Sequence, residues 1–151
     1  QTALAAQLMH LGRSTVDQAN GQVVLAAPEL RLNSDVVVPD LAAWGANRFE
    51  LIAPDAPITL APDWVCDITS PLSAAAKRIW LPRAYSKAGV AFRWIVDPVQ
   101  RSVEVFRLDP DSKDAAGRPM YELGEGWVGN EVVRAEPFAA MELDLKLLWM
   151  P

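Results

Sequence analysis

The sequence predicts a single α/β domain with a mixed β-sheet. Two apolar runs, residues 64–69 and 91–96, are typical of buried strands, and residues 74–88 between them have the composition of a helix. A strand–helix–strand unit of this kind should form a right-handed parallel pair. Residues 102–108 alternate apolar and polar side chains after the turn at Asp97-Pro98, so we expect them to continue the sheet as a hairpin strand.

The composition agrees with one globular domain and excludes several classes of protein. The chain has 151 residues, 51% of them hydrophobic, and no apolar run approaches the roughly 20 residues of a membrane helix. A single cysteine, Cys66, excludes an intramolecular disulfide framework and fits a reducing cytoplasm. With one cysteine and one histidine the usual zinc ligands are lacking, so any metal should be a hard, oxygen-liganded ion such as Mg²⁺. We expect a cytoplasmic protein with no membrane partner.

Weaker patterns predict the elements of the N-terminal third. Leu4, Leu8 and Leu11 recur at helical spacing, and the first eleven residues lack the basic start and cleavage site of a signal peptide. The other predictions are short strands at 22–25 and 29–32, a buried strand at 35–42 that ends at or just after Pro39, and a proline-rich loop with at most one helical turn at 45–62.

The C-terminal half is predicted from proline, glycine and alternation. Pro82 should interrupt or kink the helix at 74–88, and Gly89 should end it. Residues 109–118 are polar and are predicted as a mobile loop. The remaining predictions are a pairing of 121–123 with 131–134 across a glycine-rich turn, and a closing segment at 139–149.

Charge is distributed unevenly along the chain. The net charge of −5 argues against nucleic-acid binding through bulk electrostatics. Half of the 14 lysines and arginines nevertheless lie in one segment, against only Asp97 and Glu104. These basic residues are Lys77, Arg78, Arg83, Lys87, Arg93, Arg101 and Arg107. The segment fits either a solvated helix face or a surface that meets an anionic partner.

Several catalytic motifs are missing from the sequence. The eight glycines do not form the phosphate-binding pattern GxxxxGK, and there is no G-x-S-x-G elbow. The one histidine, His10, is far in sequence from any candidate nucleophile, which leaves a serine or cysteine hydrolase without a base. Cys66 directly precedes Asp67 on a predicted strand, so it should face the opposite side of the sheet and belong to the core.

Two aspartates lie where a carboxylate is costly. Asp40 follows the apolar residues 36–39, and Asp67 lies within the predicted strand at 64–69. A buried carboxylate must be paired, protonated or bound to a cation, and two that converge would repel each other unless a divalent ion lay between them. Two interpretations stay open: a metal site, or a strand-end turn at Asp40 and backbone hydrogen bonds at Asp67.

Five short blocks resemble those of a known family, in the same order. They are Val38-Pro39-Asp40-Leu41-Ala42, the nine residues from Asp63 to Pro71, the six from Tyr85 to Val90, Trp94-Ile95-Val96-Asp97-Pro98, and a tail with Glu136-Pro137-Phe138 and Leu143-Asp144-Leu145. With compatible gaps, they resemble the Uma-two family of bacterial DNA endonucleases over about residues 29–149.

The resemblance implies a restriction-endonuclease-like fold of the PD-(D/E)xK superfamily, with a central mixed β-sheet flanked by helices. It further implies that Asp40 and Asp67 hold Mg²⁺ or Mn²⁺, which would position a phosphodiester of DNA and activate a water. Glu29 matches an acidic position upstream and could add an outer ligand.

The lysine of the superfamily is displaced. Position 69, two residues beyond the second acid, is Thr69, and the helical position that the family uses corresponds to Leu81. Lys77 lies one helical turn before Leu81, so its ammonium is our candidate for stabilising charge on the phosphate.

The missing lysine leaves an alternative open: a catalytically inactive binding or assembly module on the same fold. The resemblance also suggests a single domain over residues 1–151 that lacks the family's N-terminal hairpin. A homodimer stays an open alternative, by analogy with nucleases that cut both strands.

Overall fold

The computed structural model describes residues 5–9 and 21–150, and its centre is a six-stranded mixed sheet with the order β1-β4-β5-β6-β7-β8. The sheet's strands are β1 (Gln22–Ala26), β4 (Leu41–Gly45), β5 (Trp64–Ile68), β6 (Phe92–Asp97), β7 (Ser102–Lys113) and β8 (Pro119–Val128). Only β5 and β6 are parallel, because the helical connection between them returns the chain to the same end of the sheet. The mixed α/β architecture predicted from the sequence is confirmed.

Smaller elements surround the sheet. Four short strands form two hairpin-like pairs: β2 (Leu30–Leu32) with β3 (Asp35–Val37), and β9 (Val132–Val133) with β10 (Leu143–Asp144). The helical elements are residues 5–9, α1 (Ala46–Phe49), a π-helical turn (Ala76–Trp80), α2 (Leu81–Ala88) and α3 (Lys146–Trp149). None of the helices in the described residues has the length and hydropathy of a membrane span.

Strand alternation gives the sheet two different faces. On the first face, Cys66 and Trp94 pack with the C-terminal segment and residues 5–9. On the second face, Val65 packs beneath α2 with Tyr85 and the β2–β3 hairpin. Consecutive residues of β5 therefore enter different cores. Cys66 is fully buried and unpaired, as expected for a core residue.

The strand predicted over residues 35–42 is wrong in one respect that matters for the site. Two strands occupy this segment: β3 pairs with β2 in a peripheral hairpin, and β4 joins the central sheet. Pro39 lies between them, where its missing N–H breaks the ladder. Asp40 therefore directly precedes a central strand, whereas we predicted it at the end of one.

The predictions for the C-terminal half are partly wrong. Residues 109–118 are no open loop: β7 runs to Lys113 and β8 begins at Pro119, so the two strands form a long hairpin. Residues 121–123 pair with β7, and β9 pairs with β10, so the predicted pairing of 121–123 with 131–134 does not form. The end of the hairpin projects from the core, so its residues are polar on both sides and carry no alternating signal.

The other element predictions are confirmed within the described residues. The helix after β5 is broken at Pro82 into the π-helical turn and α2, and Gly89 ends α2 with a φ of 79° in the left-handed region. The loop at 45–62 contains a single helical turn, α1. Leu8 is helical and buried, whereas Leu4, His10 and Leu11 lie outside the described residues.

Candidate active site

The two predicted acids come from adjoining positions on neighbouring strands. In the antiparallel pair of β4 and β5, Leu41 lies opposite Cys66. Asp40 precedes Leu41 and Asp67 follows Cys66, so continued register places the two aspartates across from each other. By alternation both lie on the second face, beneath α2, with Ala42 and Val65. The structure brings together the pair that the sequence singled out.

Asp67 is completely buried. Its Oδ1 accepts a hydrogen bond of 3.4 Å from the Tyr85 hydroxyl, and its Oδ2 lies 3.5 Å from Nε of Arg93, close enough for an ion pair but without hydrogen-bond geometry. Burial raises the pKa of Asp67 to about 6 against the opposing charges of Arg93 and Lys77, and the negative charge of Asp40 raises it further. Asp67 Oδ2 is thus a buried oxygen that lacks a hydrogen-bond donor in the described part of the chain.

Asp40 is tied to β5 by a lysine and a backbone amide. Its Oδ2 accepts a hydrogen bond of 2.7 Å from the Ile68 N–H, just before the first residue of β4. The Lys77 ammonium donates to the same oxygen at 2.6 Å and to the Ile68 carbonyl at 2.6 Å. One cation therefore already bridges a carboxylate and a strand carbonyl at this edge of the sheet.

The π-helical turn accounts for the position of Lys77. Pro82, the second residue of α2, has no N–H to donate to the carbonyl of Arg78, so the regular ladder cannot continue through this turn. The turn is a π-helix, a form that is rare in proteins overall but often occurs at functional sites. Lys77 lies in this turn and reaches Asp40, whereas Leu81 is buried in the core beneath α2.

Arg93 and Tyr85 belong to the site, although sequence reasoning gave neither a role. Arg93 is 2% exposed, its Nη2 donates a hydrogen bond to the Lys77 carbonyl, and its guanidinium lies 5.8 Å from the centre of the Phe106 ring. It occupies an inward position of the apolar strand β6, as Asp67 does on β5. A charged residue inside an apolar run was therefore a signal for Arg93 as well, but we had grouped it with the surface arginines.

Two other predicted positions lie elsewhere. Glu29 is exposed and pairs with Arg31 at 3.6 Å, so no described contact links it to Asp40 or Asp67. Thr69 is buried and its hydroxyl donates to the Val96 carbonyl at 3.4 Å. An outer metal-ligand role for Glu29 stays a prediction without a supporting contact.

The carboxylates fit a hard divalent cation. Mg²⁺ is usually bound through one or two carboxylates, with water and substrate phosphate completing its shell. Asp40 and Asp67 supply two carboxylates, and Oδ2 of Asp67, which accepts no hydrogen bond from the described residues, is the kind of buried oxygen that a cation would satisfy. No group of three histidine, cysteine, aspartate or glutamate ligands forms among residues 5–9 and 21–150. Any remaining ligands would be the Ile68 carbonyl, water or the substrate.

The fold of the chain is shared with a solved structure. A crystal structure from Anabaena variabilis ATCC 29413, described as "a putative nuclease belonging to DUF820", matches with a TM-score of 0.71. The match covers 98% of this chain and 79% of the other, at 21% sequence identity. At that identity the likeness establishes the fold alone.

The family is established by sequence. Residues 1–145 match the model of the Uma2 family, which is described as "Putative restriction endonuclease". The chain belongs to the Uma2 family, and the resemblance noted above for five short blocks extends over nearly the whole sequence. No curated protein matches the chain.

Proposed function

We propose that the chain is a Mg²⁺-dependent endonuclease that hydrolyses phosphodiester bonds of DNA at Asp40, Asp67 and Lys77. The observation that carries this proposal is the ammonium of Lys77 held 2.6 Å from Asp40 Oδ2, beside a second, buried carboxylate on the next strand. Two acids and a lysine on one sheet face supply cation ligands and a fixed positive charge, the two components that phosphodiester hydrolysis needs. Membership of a family described as a restriction endonuclease supports the substrate class.

Each side chain has a separate task in this proposal. Mg²⁺, when bound, would polarise the phosphate and lower the pKa of a water. Asp40 is partly exposed, so it can contact both the cation and the substrate. Asp67 is wholly buried, so it would bind the cation from the protein side. Lys77 would turn its ammonium toward charge that develops on the phosphate. Arg93 and Tyr85 position Asp67 by holding one carboxylate oxygen each.

Cleavage of supercoiled plasmid DNA tests the proposal. With Mg²⁺ or Mn²⁺ the chain should convert supercoiled plasmid to nicked and linear forms, and EDTA should abolish the conversion. Asp40→Asn and Asp67→Asn should each lower the rate by roughly 10²–10³-fold, because a neutral amide binds the cation poorly. Asp55→Asn, in the exposed loop before β5, is the matched control and should cleave normally.

Two results would overturn the proposal. One is the absence of cleavage with either metal, together with calorimetric titrations of Mg²⁺ that show no heat dependent on Asp40 and Asp67. The chain would then be an inactive binding or assembly module. The other is cleavage that survives both substitutions, which would place the site elsewhere. A homodimer and a cytoplasmic location stay predictions.

A further inference from the structure

A cavity lies near the acids on the same face of the sheet. It has a volume of about 370 Å³ and lies between the α2 region and the β7–β8 hairpin. Four arginines line it: Arg78 from the π-helical turn, Arg83 from α2, Arg93 from β6 and Arg118 from the hairpin end. Among the lining residues that the structure describes, Asp114 is the single carboxylate. The cavity therefore carries an excess of positive charge in a chain whose net charge is −5.

The arginines differ in how they are held. Arg78 pairs with Glu104 at 2.8 Å and Arg118 with Asp114 at 2.8 Å, which fixes both guanidinium groups at the rim. No carboxylate pairs with Arg83 in the part of the chain that the structure describes. Arg83 is exposed and thus presents an uncompensated guanidinium, the group best suited to bidentate binding of a phosphate.

The walls suit a nucleotide as well as its phosphate. Phe106, Tyr121 and Met120 contribute apolar and aromatic surface between the arginines. The Tyr121 hydroxyl donates to the Val90 carbonyl at 2.6 Å, which orients its ring. Proteins that bind single strands combine cationic groups for the backbone with aromatic faces for the bases. Both components occur together here.

Arg93 connects this cavity to the acids. Its Nε lies 3.5 Å from Asp67 Oδ2, while its guanidinium also lines the cavity against Phe106. A strand that places one nucleotide between the arginines would therefore continue toward Asp67 and Asp40. The cavity and the acids thus lie on the same face of the sheet and are linked through Arg93.

We propose that the arginine-lined cavity binds a phosphate and its nucleoside next to the bond that is cut, on a single strand of DNA. This inference rests on the proposed function for the choice of DNA, and it adds a binding site that the acids alone do not supply. The contacts are to the backbone and the face of the base, so binding should depend strongly on salt and weakly on sequence.

Fluorescence anisotropy with a labelled single-stranded DNA, in EDTA to prevent cleavage, tests this site. Arg83→Gln and Arg78→Gln should each weaken binding roughly three- to tenfold and reduce the slope of log K against log salt by about 0.7, the value for one lost contact to a single strand. Arg134→Gln is the matched control: Arg134 is exposed and paired with Glu142 in the C-terminal segment, so its loss should leave the Kd unchanged. Thermal unfolding verifies that each variant is folded.

The outcomes separate this site from the catalytic proposal. A double variant of Arg78 and Arg83 that binds DNA with the wild-type Kd and salt slope overturns the inference, even if the chain cleaves DNA through Asp40 and Asp67. Millimolar inorganic phosphate should displace DNA from the wild type more than chloride of equal ionic strength does, because it competes for the same arginines, and a double variant that keeps this difference also overturns the inference. Conversely, suppose that the wild type cuts no DNA while both arginine variants bind DNA more weakly and with a smaller salt dependence. The cavity is then a DNA-binding site, and the nuclease proposal is overturned.

Discussion

The two faces of the central sheet use the same strands for opposite purposes. On the first face, Trp64 and Trp94 meet edge to face with centroids 5.2 Å apart, in a dry apolar cluster. On the second face, Asp67 and Arg93 of the same two strands form a buried ion pair. A buried pair of charges contributes little net stability because desolvation offsets the attraction. The comparison suggests that the first face holds the fold together and the second face carries the chemistry.

Trp94→Ala should have the largest effect on stability. Trp94 is 3% exposed, contacts Trp64 and Phe138 edge to face, and donates a hydrogen bond of 2.7 Å to the Glu136 carbonyl. Its truncation should lower the free energy of unfolding by about 3–5 kcal/mol, measured by urea denaturation. The folded variant should retain metal-dependent cleavage, since no side-chain contact among the described residues joins Trp94 to Asp40 or Asp67.

Trp80→Ala is the matched control for Trp94→Ala. Trp80 lies in the π-helical turn and is 47% exposed, so the same substitution should cost less than about 1 kcal/mol. A large loss at Trp80, or a small one at Trp94, would break the proposed division between the faces.

The free energy of unfolding should depend on pH because Asp67 on the second face is buried. Its folded pKa of about 6 lies above the unfolded value of 3.8, so the folded state binds the proton more tightly. The resulting stabilisation is complete below about pH 4 and is lost as pH rises to about 6, a change on the order of 3 kcal/mol. Urea unfolding of metal-free protein at pH 4 and pH 7 measures it.

Asp67→Asn supplies the comparison for this pH effect. Asparagine does not titrate, so the free energy of unfolding of the wild type, relative to that of Asp67→Asn, should decrease from pH 4 to pH 7. Asp55→Asn, which removes a charge from an exposed loop, should show no such change relative to wild type. If wild type and Asp67→Asn have the same pH dependence, ionised Asp67 carries no cost and the second face resembles the first.

The fold and the two acids were predictable because they depend on local patterns. Apolar runs identified β5 and β6, and alternation placed Cys66 and Asp67 on opposite faces, as found. The pairing of β9 with β10 was not predictable, because two-residue strands have no periodicity and their pairing is set by the packing of the C-terminal segment. The end of the β7–β8 hairpin was missed for a related reason, since its residues face solvent on both sides.

The contact of Lys77 with Asp40 was only partly predictable. Spacing from Leu81 placed Lys77 near the acids, but its contact with Asp40 depends on the π-helical turn before Pro82. Pro82 predicts that the regular helical ladder is interrupted, but a proline alone does not predict that the turn before it is π-helical. The role of Arg93 was missed because its position in a basic segment concealed its position in an apolar strand.

Lys77→Met should cause the smallest change in free energy of these predictions, in the binding of Mg²⁺ or Mn²⁺. It is also the most informative of the substitutions. The Lys77 ammonium occupies Asp40 Oδ2 and the Ile68 carbonyl, two oxygens that a divalent cation would use. Removing a positive charge that competes for the same ligands should tighten binding of Mg²⁺ or Mn²⁺ five- to tenfold in calorimetry without DNA, or about 1 kcal/mol. The same variant should cleave DNA more slowly, because the ammonium is then missing from the phosphate.

Lys87→Met, in the last turn of α2, is the control and should change neither quantity. Tighter metal binding joined to slower cleavage would show that Lys77 acts as a cation in its own right, which a merely structural contact would not produce. Unchanged or weaker metal binding in Lys77→Met would instead mean that the lysine holds Asp40 in place. Lys77 would then have a structural role on the second face. The division between a first face that stabilises the fold and a second face that performs chemistry would not apply to this residue.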